Sequence, residues 1–144
     1  MRAKIVIDTN VLIGALIGKK YSANRRLIEL CFQEKFQPLI NNTLFSEYEE
    51  VFNRQEIISK SPYSETEANE LFDAFLSICQ WTKIYYLWRP NLVDENDNYL
   101  VELAVAGNAE IIATHNLKDL KNAELKFPKI QIWPPQEVIK LWQQ

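Results

Sequence analysis

Residues 4–8 read Lys4-Ile5-Val6-Ile7-Asp8, and this stretch decides the fold. Three β-branched apolar residues follow one another without alternation. That is the pattern of a strand buried on both faces, as parallel strands are. A carboxylate closes the run. At the carboxyl end of a buried strand, Asp8 needs water, a helix N-terminus or a cation. Two readings therefore stand together: Asp8 caps the next helix, or it serves a site.

Outward from this strand, helical and extended patterns alternate. Residues 10–17 predict a helix start or a turn over the sheet, ended near Gly18. Ser22 can cap a helix to about Lys35, with Leu27, Ile28, Cys31 and Phe32 on its apolar face. Pro38-Leu39-Ile40 suggests a second strand, and Asn41 or Asn42 caps a helix to about Arg54. Residues 55–64 are polar, contain Pro62 and read as a connection. Ser64-Glu65-Thr66-Glu67 is a capping box. Its helix carries Leu71, Phe72, Phe75, Leu76 and Cys79 at helical spacing. Residues 83–88 read as a strand and 94–106 as a helix stopped at Gly107-Asn108. Strands at 111–114 and 130–133 and a terminal helix at 136–142 complete the pattern. This alternation implies one α/β domain over residues 1–144, with a central parallel sheet covered on both faces.

Composition narrows the function. The chain has 144 residues, 47% of them hydrophobic and 24% charged, which suits one packed domain and argues against disorder. No apolar run approaches the roughly 20 residues of a membrane span. The N-terminal residues lack a signal-peptide pattern, so a cytoplasmic location is expected, with no membrane partner. Cys31 and Cys79 share no C-x-x-C spacing and read as buried free thiols. A single histidine excludes a His-rich zinc site. Gly14, Gly18 and Gly107 are the only glycines, so neither G-x-G-x-x-G nor a P-loop is present. A net charge of −3 is unlike a non-specific DNA coat. Nucleic acid remains open as a substrate, because a bound divalent cation offsets local carboxylates.

Four polar residues fall at the ends of core elements: Asp8, Glu47, Asp97 and Asn116. Glu47 sits at the margin of the helical face formed by Leu44, Tyr48, Val51 and Phe52. A half-buried Glu there needs a Lys or Arg partner, or a function. Asp97 lies three residues after the candidate cap Asp94, where the helix dipole alone accounts for an acid. The same helix carries Leu100, Leu103 and Ala104 toward the sheet. Asn116 follows a strand, where Asn commonly makes turns, yet its amide oxygen can ligate a hard cation. Asp119 could act through water or cap a short helix, and His115 reads as a turn or supporting residue. Lys19, Lys20, Arg25 and Arg26 form the main basic cluster: a solvated helix start, or phosphate contacts beside an acidic pocket. If the four site residues converge at the carboxyl edge of the sheet, they form a pocket of hard oxygen ligands suited to Mg²⁺ or Mn²⁺.

On these residues the chain resembles the PIN domain, in its branch of toxin components of toxin–antitoxin pairs. The resemblance spans nearly the whole chain. It rests on Ile5-Val6-Ile7-Asp8-Thr9-Asn10-Val11-Leu12, and on Glu47-Tyr48-Glu49-Glu50-Val51-Phe52-Asn53-Arg54. It continues in Asp94-Glu95-Asn96-Asp97-Asn98 leading to Glu102-Leu103-Ala104-Val105-Ala106-Gly107. The last match is Ile111-Ile112-Ala113-Thr114-His115-Asn116-Leu117-Lys118-Asp119-Leu120. Each motif is short; their order and spacing carry the match.

The resemblance implies a compact α/β/α fold and a metal-dependent endoribonuclease, commonly a homodimer and often inhibited by a small antitoxin protein. The family's metal-binding acids fall on Asp8, Glu47 and Asp97. Its fourth position falls on Asn116, often Asp in the wider family, which lowers the charge and weakens the site for a second metal. The expected chemistry is RNA phosphodiester hydrolysis with Mg²⁺ or Mn²⁺. Asp8 and Asp97 would hold metal. Glu47 would bind it directly or through water and orient the attacking water. Asn116 would complete the shell, and Thr9 would meet water or phosphate. Asp94, His115 and Asp119 are the candidate supporting residues.

Three rivals stand against this reading. The first is a PIN-like RNA- or protein-binding module whose Asn116 has cost it activity; metal-dependent RNA cleavage separates the two. The second is a receiver or phosphotransfer domain, which lacks the Asp-x-Asp it would need at Asp8. The third is a structural partner protein using Trp81, Trp88, Trp133 and Trp142 at an interface, whereas most of these read as core.

Overall fold

The structure, a computed structural model of the chain, describes residues 2–18, 22–83, 98–118, 120 and 129–143. The first strand, β1 (Ala3–Ile7), is the middle strand of five. On one side lie β2 (Phe36–Ile40) and then β3 (Gln80–Trp81); on the other lie β4 (Ile111–Ala113) and then β5 (Gln131–Trp133). Every pairing is parallel. Ile5, Val6 and Ile7 are each fully buried, as a strand flanked and covered on all sides requires.

The helices follow from local signals. α1 (Thr9–Ile17) starts directly after Asp8. α2 (Ala23–Phe32) is capped by Ser22, whose side chain accepts the Arg25 amide. α3 (Asn42–Phe52) is capped by Asn41 rather than Asn42. α5 (Glu65–Ile78) opens with the complete Ser64–Glu67 capping box. α6 (Asn98–Ala106) ends at Gly107, where a Cβ would collide with Leu39 of β2. The left-handed residue after it is Asn108, with φ 57°. The last helix, α7 (Pro135–Gln143), takes Pro135 as its first residue, where a missing N–H costs nothing.

α6 packs across β1, β2 and β4, while α7 packs on α2, β4 and β5. The layers are α/β/α around the parallel sheet. The strand order has one consequence for function. The chain leaves β1 toward β2 and β3, then returns across β1 to β4. The winding direction therefore reverses between β1 and β4, and a crevice opens there at the carboxyl ends of both strands.

Several sequence expectations need correction. Residues 55–60, read as connection, form the short helix α4 (Gln55–Lys60). Its Ile57 packs against the core, which the polar composition concealed. The sequence did not mark β3 at Gln80–Trp81, which pairs with Leu39 and Ile40; of the strand expected at 83–88 only Lys83 is described, and it lies in no strand. Residues 84–88 lie outside the described residues. Cys31 is buried as expected, but Cys79 is only half-buried; both are free. Cys79 donates to the Phe75 carbonyl at 3.3 Å, and burial pushes its thiol up to about 12. Trp81 is 52% exposed at the sheet edge and rests on Phe45, and Trp133 is half-buried, so these two are not deep core. Trp88 and the Trp142 side chain are outside the described set. No described helix is long and apolar enough to cross a membrane.

Candidate active site

A cleft of about 760 Å³ opens at the crevice, and two helical faces form most of its described lining. From α1 come Thr9, Asn10, Ile13, Gly14 and Ile17, at the three- and four-residue spacing of one helix face. From α3 come Thr43, Glu47 and Val51, each four residues from the next. Tyr99 of α6, Asp8 after β1 and Asn116 after β4 close it. The sequence patterns that bury one side of α1 and α3 in the core thus turn an adjacent stripe of each helix to the cleft.

Asp8 performs the helix-capping role and also lines the cleft, so the two readings are not exclusive. Its Oδ1 accepts the Thr9 amide at 2.8 Å, and its backbone carbonyl accepts the amides of Val11 and Leu12. Its Oδ2 accepts the Thr114 hydroxyl at 2.7 Å. Burial raises its carboxyl above the ordinary value. The bonds from Thr114 and Thr9 and the nearby His115 oppose that rise. Each carboxylate oxygen keeps a further lone pair for another ligand.

Glu47 is half-buried and, among the described residues, has no Lys or Arg within ion-pair distance. No ion pair among the described residues therefore accounts for its position. Its position is set by its neighbour. Tyr48 is fully buried and donates from its phenol to the carbonyl of Ile7, the last residue of β1. Burial pushes that phenol well above its ordinary range, so it remains a donor at all ordinary pH. Tyr48 thereby pins α3 against the end of β1, and Asn41 fixes the start of the same helix by accepting the Leu44 amide at 2.8 Å. Glu47 faces the cleft from this anchored segment.

Asn116 is half-buried, and its backbone amide donates to Thr114 Oγ1 at 2.9 Å. The Thr9 hydroxyl is buried and has no hydrogen-bond partner among the described residues. His115 is exposed beside the cleft. The basic residues are placed differently. Arg25 approaches Glu29 at 3.9 Å and lies over the Tyr63 ring, and Arg26 bonds Glu29 at 3.4 Å. Neither lines the cleft. Lys19, Lys20, Asp94, Asp97 and Asp119 lie outside the described residues.

The donor set fits a hard divalent cation. Two carboxylate residues, two amide-bearing residues and Thr9, whose hydroxyl is unpartnered among the described residues, line one cleft, and no described cationic side chain lines it with them. Oxygen donors of this kind suit Mg²⁺ or Mn²⁺ over softer metals. Among the described residues no group of three or more His, Cys, Asp or Glu is assembled, so the described carboxylate share of such a site is Asp8 and Glu47.

Sequence reading did not single out Thr114, Tyr48, Asn10, Thr43 or Tyr99 for the site. Thr114 had a usable signal. It follows β4 as Asp8 follows β1, and the Ile7–Ala113 register makes the two residues neighbours. Tyr48 had none, because an aromatic residue on an apolar helix face reads as packing.

The PIN domain model matches residues 4–118 of the chain. No curated protein matches it. Among solved structures, the chain resembles the crystal structure of VapBC2 from Rickettsia felis bound to a DNA fragment from their promoter. The TM-score is 0.55 at 19% identity, over 90% of this chain and 96% of that one. That likeness concerns the fold. The family match, over residues 4–118, takes in every described cleft residue, from Asp8 and α1 through α3 and α6 to Asn116 after β4, and PIN domains are in general nucleases. The chain therefore belongs to the PIN domain family.

Proposed function

We infer that this protein is a Mg²⁺- or Mn²⁺-dependent endoribonuclease that hydrolyses RNA phosphodiester bonds. The carrying observation is the cleft itself. Asp8 and Glu47 face it together with Thr9 and Asn116, without a basic side chain among the described lining residues. Two carboxylates with no counter-charge among the described residues call for a bound cation. Asp8, Glu47 and Asn116 would hold it, with Asp97 proposed as the third acid from the sequence motif. When bound, the cation would neutralise phosphate charge and lower the pKa of water.

The remaining work falls to the chain's own groups. Glu47 orients the attacking water by accepting its hydrogen bond. The Thr9 hydroxyl donates to a phosphate oxygen. Thr114, by donating to Asp8, favours its ionised form against the effect of burial and fixes one of its oxygens. Lys19 and Lys20, outside the described residues, are proposed from the sequence as phosphate contacts. Arg25 and Arg26 are weaker candidates, because both engage Glu29.

We further place the protein in the cytoplasm as the toxin of a toxin–antitoxin pair, acting as a homodimer. A small antitoxin protein would be its partner. The fold likeness to VapBC2 supports this assignment, together with the motif order. RNA cleavage measured with Mg²⁺, with Mn²⁺ and with EDTA, for wild type beside Asp8→Asn, tests the enzymatic reading. Cleavage that needs the cation and disappears in Asp8→Asn is expected. RNA binding without any metal-dependent cleavage would favour the weakened binding module.

A further inference from the structure

His115 is the only histidine in the chain, and its surroundings are specific. Its Nε2 lies 2.7 Å from Oδ1 of Asn24, in the first turn of α2. Its backbone amide donates to Oδ1 of Asn10 on α1, a long bond at 3.4 Å. The Asn24 amide reaches this position because residue 14 is glycine: a Cβ there would collide with the Asn24 side chain. Three elements thus meet on one turn.

The same turn carries the cleft residue Asn116 and the support of another, Asp8. Thr114 donates to Asp8, and Asn116 donates its backbone amide to Thr114. The turn is therefore held from both sides: toward β1 through Thr114, and toward α1 and α2 through His115. The second hold ties the turn that carries Asn116 to α1 and α2, away from its strand end.

We propose that the Asn24–His115 pair is a latch that positions Asn116 and Asp8 for the divalent cation. Asn24 and His115 are positioning residues, with no contact to substrate assigned to either. The latch rests on the metal-site reading above and deepens it. With Asn24 Oδ1 as acceptor, Nε2 of His115 carries the proton.

The experiment titrates Mg²⁺ against melting temperature and against RNA cleavage. It compares wild type, Asn24→Leu, His115→Ala, His115→Gln and the Asn24→Leu/His115→Ala double variant, with Asp8→Asn as control. Each variant's Mg²⁺-induced shift is read against its own metal-free melt, so a change in folding is separated from a change in metal binding. Asn24→Leu and His115→Ala should each raise the half-saturating Mg²⁺ about fivefold, the scale of one solvent-exposed hydrogen bond. The double variant should add nothing, since both remove one contact. His115→Gln, which offers an amide donor at similar reach, should return toward wild type. Cleavage at saturating Mg²⁺ should stay close to wild type in the Asn24 and His115 variants. The ¹⁵N signals of the single imidazole should report protonated Nε2 in wild type and lose that fixed state in Asn24→Leu. Mg²⁺ curves for Asn24→Leu and His115→Ala that superimpose on wild type, while Asp8→Asn has lost its response, would overturn the latch alone. An Asp8→Asn protein that keeps its full Mg²⁺ response would bring down the metal site, and the latch with it.

Discussion

The hydroxyl of Thr114 donates to Oδ2 of Asp8 at 2.7 Å, across 106 residues of sequence, inside the fold. The bond stabilises an ionised carboxylate where burial disfavours one. It also sets the plane of the carboxylate, because the other oxygen is fixed by the Thr9 amide.

Thr114→Val keeps the volume and removes the donor. It also strips the Asn116 amide of its acceptor. Loss of a buried hydrogen bond of this kind costs about 1–3 kcal/mol. Losing a residue that orients a metal ligand weakens metal affinity about 10–100-fold. Denaturant melts should show the first effect, and Mg²⁺ titration of the melting temperature the second. A variant with wild-type Mg²⁺ affinity would remove Thr114 from the site's support.

The raised carboxyl of Asp8 makes a signed prediction about metal-free stability. The folded state binds this proton more tightly than the unfolded chain does. The group's favourable contribution is therefore complete below its ordinary value of 3.8 and is lost as pH rises through its folded value. In EDTA, Asp8→Asn should accordingly gain stability relative to wild type as pH climbs out of the acid range. Mg²⁺ should erase the difference by stabilising the wild-type carboxylate. Melting temperatures of the two proteins against pH, with and without Mg²⁺, check both statements. A difference that stays flat with pH would mean that Asp8 ionises without penalty.

Tyr48→Phe tests how Glu47 is placed. The phenol is fully buried, and removing it leaves the Ile7 carbonyl without that donor. A stability loss of about 1–2 kcal/mol is expected. Because α3 then loses its tie to the end of β1, cleavage should fall while RNA binding is retained. If the rate holds and only stability drops, Tyr48 serves packing and Glu47 is positioned by the rest of α3.

Asn116→Asp exchanges a neutral oxygen donor for a charged one at the same place in the cleft. Divalent binding should tighten, seen as a larger Mg²⁺-induced rise in melting temperature at low concentration. Where a second cation limits the chemistry, cleavage at low Mg²⁺ rises as well. Unchanged binding and unchanged rate together would reduce Asn116 to a turn residue.

The fold was legible in the sequence where local signals and burial agree. The uninterrupted Ile5-Val6-Ile7 run could only be an inner strand, and the Ser64–Glu67 box marked its helix to the residue. Legibility failed where tertiary contact overrides composition. β3 is a two-residue strand at the sheet edge with both side chains exposed, so it carries no hydrophobic signature. α4 is short and polar, and its one turn of apolar contact does not make a periodic pattern. At the site, single residues at element ends could be read from placement alone. The bonds that fix them could not, because Thr114 and Tyr48 act through partners more than 40 positions away.

The central place of β1 also orders the protein's own birth. β1 is made first, but its neighbour on one side is residues 111–113, and Asp8 waits for Thr114. At about 5–20 residues per second, the ribosome takes roughly 5–20 s to travel from one to the other. Until then the cleft has α1 and α3 but lacks β4 and Asn116. A nascent or prematurely terminated chain therefore carries Asp8 and Glu47 without the turn that completes their site. The order of synthesis therefore withholds the finished cleft until most of the sheet can close.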